Sequence, residues 1–163
     1  MDNSMDTDIT IHTATVNDVQ KVAMLVDELL IEITHAIGVQ AFNYDLEETS
    51  LKLKDLIEQK KYFVFTARNE QSESIGLLTL YESYALYAGG TFGTIPELYV
   101  RPDYRSNKVG LRLLSHAKEF AASKGWSRLE VTTPPLPQFD KTLAFYVREG
   151  FSITGGRKLK MDL

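Results

Sequence analysis

Apolar residues between positions 19 and 33 recur at helical spacing: Val19, Val22, Ala23, Val26, Leu29, Leu30 and Ile33 line one face. An alternating run over residues 9–14 precedes them and predicts a strand. The intervening Thr15-Val16-Asn17-Asp18 opens the helix, with Thr15 or Asn17 able to cap its free amides. Residues 35–44 break the pattern around Gly38 and read as a loop or helix junction. A second helix is expected from Asp45 to about Lys60, with Leu46, Leu53, Leu56 and Ile57 inward.

Strand patterns then follow at 62–67 and 75–84, separated by a polar turn. A third spans 91–100 and is interrupted by Pro96. A proline cannot donate to a ladder, so it marks a bulge or an unpaired position. The clearest helix runs over 108–124, with Leu111, Leu114, Ala117 and Ala121 on one face and Gly125 as its stop. A strand at 129–133, a proline-stiffened loop, a short helix over 140–149 and an alternating segment at 158–163 complete the chain. Three successive strands imply antiparallel hairpins, and strand–helix–strand near the end implies a parallel crossover. The predicted fold is α/β in the α+β sense. A mixed, mostly antiparallel sheet of six to seven strands lies between about four helices, in α-β-α layers.

At 163 residues, with a loose start over residues 1–8, the chain reads as a single domain. Its 44% hydrophobic and 25% charged residues are those of a globular protein. No apolar run reaches transmembrane length, and the acidic start is wrong for a signal peptide, so a cytoplasmic location without membrane partners is expected. The absence of cysteine excludes disulfides, thiolate zinc sites and cysteine nucleophiles. His12, His35 and His116 are scattered without ligand spacing, so no metal site is expected.

A net charge of -4 argues against nucleic acid as a partner. One segment opposes that sign: Arg101, Arg105, Lys108 and Arg112 are balanced locally only by Asp103. There a strand ends, a short turn follows and a long helix begins. The first amides of such a helix lack internal partners and its dipole is positive at that end, so the turn can cradle a phosphate or pyrophosphate. Arg105 and Lys108 can add charge, and Gly110 permits close approach of a ligand to the backbone. The GxxxxGK[ST] and GxGxxG patterns are absent, which leaves P-loop and Rossmann readings without their key residues.

The stretch Arg105-Ser106-Asn107-Lys108-Val109-Gly110 resembles the acetyl-CoA signature of the GNAT superfamily: Arg or Gln, two residues, Gly, one residue, then Gly or Ala. The flanks ELYVRPDYR, LRLLSHAKEFAASKGW and LAFYVREGF match as well, and the order of elements agrees over nearly the whole chain. The resemblance implies an N-acetyltransferase that uses acetyl-CoA, held by Leu98, Tyr99 and Val100 of the strand and by Arg105 to Gly110 of the turn. Lys108 departs from the pattern by replacing the first glycine. If that position requires positive φ, lysine costs on the order of 1 kcal/mol there. Phe139 and Asp140 stand near where many relatives carry an asparagine, so no asparagine role is assigned.

The resemblance further implies direct attack of a primary amine on the thioester in a ternary complex. Glu97 occupies the position of the proton acceptor, with Glu82 in reserve. A main-chain amide near Leu98 or Tyr99 would polarise the carbonyl, and Tyr146 matches the tyrosine that protonates the departing thiolate. Phe42 and Tyr44 fall where relatives shape acceptor specificity; Tyr81 and Glu82 lie on the preceding strand. A catalytically inactive acyl-CoA sensor on the same fold is the alternative reading. Homodimers are common in the superfamily, and residues 158–163 are placed to pair at a sheet edge.

Overall fold

The first long helix begins on a reciprocal cap. The Thr15 amide donates to Asp18 Oδ2 at 2.8 Å, and the Asn17 amide donates to Thr15 Oγ1 at 3.3 Å, so orphan donors are satisfied in both directions. A 3-10 turn, Val16–Asp18, leads directly into helix α1, Val19–Ile37, which ends at Gly38 in the left-handed region. Helix α2, Leu46–Glu58, is capped by Asp45, whose Oδ1 accepts from the Glu48 amide at 2.9 Å. The computed structural model describes residues 8–40 and 44–163. It divides into two compact units, Met1–Thr132 and Thr133–Leu163.

In the first unit a six-stranded mixed sheet is built from β1 (Thr10–Thr13), β2 (Phe63–Arg68), β3 (Ser74–Ala85), β4 (Gly90–Ile95), β5 (Leu98–Val100) and β6 (Leu129–Val131). The order is β1-β2-β3-β4-β6, and β5 pairs with β3. All pairings are antiparallel except β4 with β6. Strand β3 therefore serves two partners in succession: Gly76 to Leu78 face β5, and Tyr81 to Ala85 face β4. Pro96 and Glu97 form the break between them.

Strand alternation sends side chains to two faces. Val64, Leu77 and Tyr99 pack with Val22 and Leu25 of α1 and Leu53 of α2. On the other face Phe63 and Phe65 meet helix α3, Val109–Ser123, through Phe120, with ring centroids 4.8 and 5.4 Å apart. His116 stands edge-on to Phe65 at 4.6 Å and is a packing residue. Helix α3 stops at Gly125, φ 71°, and the Trp126 amide returns to the Ala121 carbonyl at 3.1 Å. The buried Trp126 ring then lies directly against Gly93, where any side chain would collide with it.

The second unit holds helix α4, Asp140–Arg148. Residues 158–163, expected to close the sheet, form no strand. Leu159 and Met161 are 89% and 82% exposed, so their alternation meets neither a ladder partner nor an apolar surface. Period-two patterning supplies a face, but a strand also needs a neighbour for its amides.

Candidate active site

The break at Pro96–Glu97 determines the local hydrogen-bond pattern. The Thr79 amide donates to the Glu97 carbonyl at 3.0 Å and the Arg101 amide to the Ile75 carbonyl at 2.9 Å. Antiparallel bonding alternates every second residue, so Tyr99 turns its amide and carbonyl toward Leu77. Leu98 and Val100 turn theirs away from β3. Strand β6 accompanies β4 only through Gly93, Thr94 and Ile95, so among the described residues no strand covers that outward side of β5. The Val100 carbonyl accepts from Arg105 Nε at 2.8 Å; the Leu98 and Val100 amides remain on an open edge.

Glu97 is tied into the same break by its side chain. Its Oε1 accepts from Thr79 Oγ1 at 2.5 Å and from the Tyr62 hydroxyl at 3.2 Å, while its amide donates back to Thr79 Oγ1 at 3.1 Å. Burial pushes the Glu97 carboxyl above the ordinary carboxylate range, and the hydrogen bonds from Thr79 and Tyr62 pull it part of the way back. Burial, and then the Glu97 charge, pushes the Tyr62 phenol strongly upward, so it stays a proton donor to the carboxylate.

After β5 the chain makes a 3-10 turn, Pro102–Asn107, which contains Arg105, Ser106 and Asn107. Lys108 then adopts φ 58°, ψ 24°, the left-handed region, and no side chain caps α3 behind it. The sequence-derived condition for strain at Lys108 is met. Val109 is fully buried, so its side chain belongs to the core. Two carboxylates of α1 hold the turn's arginines. Arg101 donates to both oxygens of Glu28 at 3.1 and 2.9 Å, and Arg105 Nη2 lies 2.5 Å from Glu32 Oε1. The Tyr99 hydroxyl also donates to Glu28, at 3.2 Å.

Of the acceptor-side residues, Phe42 lies outside the described residues. The Tyr44 hydroxyl donates to the Ala23 carbonyl and borders a small cavity of about 130 Å³ lined by Asp27, Ile31, Thr34 and His35. The Tyr81 ring stacks on Tyr62 at 6.2 Å and 13°. Glu82 accepts from Trp126 Nε1 at 2.7 Å and from the Tyr84 hydroxyl at 2.5 Å. Those bonds, the one from Tyr84 foremost, hold its carboxyl below the usual range.

In the second unit Tyr146 is 4% exposed and stands edge-on to Phe145 and Phe151 at 5.4 and 5.3 Å. Burial pushes its phenol upward, so it keeps its proton at neutral pH.

The model of the acetyltransferase (GNAT) family matches residues 28–151. The chain belongs to that family. It is 30% identical over 138 residues, 85% of this chain and 81% of the relative, to the aminoalkylphosphonate N-acetyltransferase of Salmonella typhimurium. An aminoglycoside acetyltransferase from an uncultured soil metagenomic sample superposes with a TM-score of 0.77 at 22% identity, over 98% of this chain and 99% of that one. The ribosomal-protein-alanine N-acetyltransferase of Brucella melitensis biovar Abortus does so with a TM-score of 0.70 at 16% identity, over 94% and 99%.

Acetyltransferases of the GNAT family use acetyl-CoA as co-substrate. The residues present fit such a ligand: an uncapped helix start, a left-handed Lys108 and an uncovered strand edge lie along one stretch of chain. Sequence reasoning missed Tyr62, Thr79, Glu28 and Glu32 in this GNAT enzyme. Each touches a predicted site residue from 18 to 73 positions away: Thr79 and Tyr62 touch Glu97, Glu28 touches Tyr99 and Glu32 touches Arg105. No local motif carries such a pairing; strand register brings Thr79 and Tyr62 to Glu97, and the packing of α1 on the sheet brings Glu28 and Glu32 to Tyr99 and Arg105.

Proposed function

We propose that the enzyme transfers an acetyl group from acetyl-CoA to a primary alkyl amine of a small molecule or protein, by direct attack while both substrates are bound. The observation that carries this reading is the half-buried Glu97 carboxylate at the β4–β5 break, raised by desolvation and next in sequence to the outward amide of Leu98.

Bound acetyl-CoA supplies an activated acyl carbon and a thiol leaving group. An alkyl amine with a pKa of about 10.4 is almost wholly protonated at pH 7 and cannot attack in that form. Glu97, made more basic by burial, takes the proton directly or through a water. Glu82 is the weaker base because the bonds from Tyr84 and Trp126 outweigh burial at its carboxyl, whereas burial outweighs the two bonds at Glu97. The Leu98 amide donates to the thioester oxygen as negative charge grows there; the Tyr99 amide, directed at Leu77, does not serve. The carbon–nitrogen bond forms as the carbon–sulfur bond breaks; Tyr146 gives its proton to the sulfur, and the second proton that the nitrogen sheds on becoming an amide passes through solvent to restore the phenol, while Glu97 releases its proton to solvent. Arg105, Lys108 and the first amides of α3 hold the phosphates.

The Salmonella relative is named for aminoalkylphosphonates and the soil relative for aminoglycosides. Both are compounds with primary amines, which is the acceptor class proposed. A homodimer belongs to the same reading: Leu159, Met161 and Leu163 alternate and lie exposed, available to add as a strand to a second copy. A monomeric mass by light scattering over a wide concentration range overturns that part.

Calorimetric titration with acetyl-CoA comes first, followed by thiol release with a panel of aminoalkylphosphonates, aminoglycosides and polyamines. Saturable binding with amine-dependent release, lost in Glu97→Gln, supports the enzyme reading. Binding without release for any amine supports an acyl-CoA sensor.

A further inference from the structure

We propose that Tyr62 and Thr79 are positioning residues that clamp one oxygen of the Glu97 carboxylate, so that the other oxygen is the one presented to the acceptor amine. The inference rests on the reading of Glu97 as the base and adds two residues that no motif assigns.

Both donors converge on Oε1, Thr79 Oγ1 at 2.5 Å and the Tyr62 hydroxyl at 3.2 Å. Oε2 takes no hydrogen bond from any described residue. An ionised carboxylate offers about four lone-pair sites, so this one is satisfied on one side and bare on the other. Rotation about the terminal carboxylate torsion is soft, and without the clamp the two oxygens would exchange places freely.

Each donor is itself held. The Thr79 hydroxyl oxygen accepts from the Glu97 amide at 3.1 Å, and the Thr79 amide donates to the Glu97 carbonyl at 3.0 Å. These bonds leave the hydroxyl proton directed at Oε1. Tyr62 packs against the core formed by α1, α2 and the sheet, and its ring is stacked on Tyr81 of β3. The groups that act on the Glu97 carboxyl are the surrounding protein, Thr79 and Tyr62, with Tyr81 behind Tyr62 and no charged side chain among them. The clamp stabilises the anion while burial opposes it, and the balance leaves a carboxylate basic enough to accept a proton yet fixed in direction.

The test follows the Glu97 carboxyl itself, by carbon NMR of protein labelled at the glutamate carboxyl, with the resonance assigned by its loss in Glu97→Gln. Tyr62→Phe and Thr79→Val each remove one donor while keeping shape. Each is expected to move the Glu97 midpoint upward by about one pH unit, the effect of losing one hydrogen bond to a charged group. Thr79→Ser, which keeps the hydroxyl, is expected to leave it in place. Circular dichroism confirms folding of each variant. Unmoved midpoints in both Tyr62→Phe and Thr79→Val overturn the clamp, as does an equal shift in Thr79→Ser. If Glu97→Gln retains full thiol release, the base reading fails instead, and the titration still reports on the clamp separately.

Discussion

Glu32 of α1 and Arg105 of the turn before α3 form an ion pair at 2.5 Å, with both side chains partly exposed. The guanidinium proposed to meet the cofactor's phosphates is thus already engaged by a carboxylate 73 residues earlier. Phosphate and Glu32 compete for one cation. Exposed pairs are worth up to about 1 kcal/mol, so Glu32→Gln is expected to tighten acetyl-CoA binding by about two- to fivefold at low salt. Isothermal titration measures this; unchanged or weaker binding would mean that Glu32 orients Arg105 rather than competing for it.

Lys108 sits at φ 58°, where a side chain costs about 1–2 kcal/mol and glycine costs nothing sterically. Lys108→Gly is expected to raise the melting temperature by about 2–4 °C for each kcal/mol recovered. The same change removes an ammonium from the turn, so acetyl-CoA affinity should fall at low salt and converge with wild type at high salt. A rise in stability with no change in affinity would assign Lys108 to strain alone.

Glu97→Gln should abolish amine-dependent turnover while preserving acetyl-CoA binding. It should also stabilise the protein. Burial raises the folded-state pKa of Glu97 above its unfolded value, so between those two values the folded state binds more protons and stability falls as pH rises. Above that window the wild type bears the cost of a partly desolvated anion; Gln keeps an oxygen for Thr79 and Tyr62 without it. Thermal melts at pH 7 and below pH 4 check this. The variant should melt higher at pH 7, with the gap closing in acid.

Tyr146→Phe removes a phenol that keeps its proton at neutral pH and leaves the packing on Phe145 and Phe151 in place. Turnover should fall by about 10²-fold or more if it is the general acid, with acetyl-CoA affinity and melting temperature near wild type. An unaltered rate with the preferred amine removes Tyr146 from the mechanism.

Gly93→Ala should destabilise the fold by about 1–3 kcal/mol, the typical cost of overpacking, because the new methyl meets the Trp126 ring and Leu129. Denaturant unfolding measures it. An unchanged midpoint would show that the tryptophan yields freely.

Much of this was legible in the sequence because it was local. The periodicity from Val19 to Ile33, the stop at Gly125 and the interruption at Pro96 each depend on a few neighbouring residues, and the structure reproduces all three. The positive φ at Lys108 was legible because the resemblance to the acetyl-CoA signature put a lysine in a glycine's place. The clamp on Glu97 was not, since Tyr62 lies 35 residues away and reads as the opening residue of an apolar strand. Its hydroxyl reaches Glu97 only because β2 and β5 flank β3 in one register. The segment 158–163 failed in the opposite sense: its alternation was local and clear, but the partner it required was not.

At the strand break, Glu97 and Leu98 are joined by a single peptide bond, which fixes their Cα atoms about 3.8 Å apart. The peptide bond ties the two backbones together, and the bonds from Thr79 and Tyr62 to Oε1 hold the far end of the Glu97 side chain, so the proposed base and the proposed oxyanion donor share one point of the sheet. The junction between α1 and α2, where the resemblance puts acceptor choice, is a separate stretch of chain, so substitutions there leave that spacing as it is.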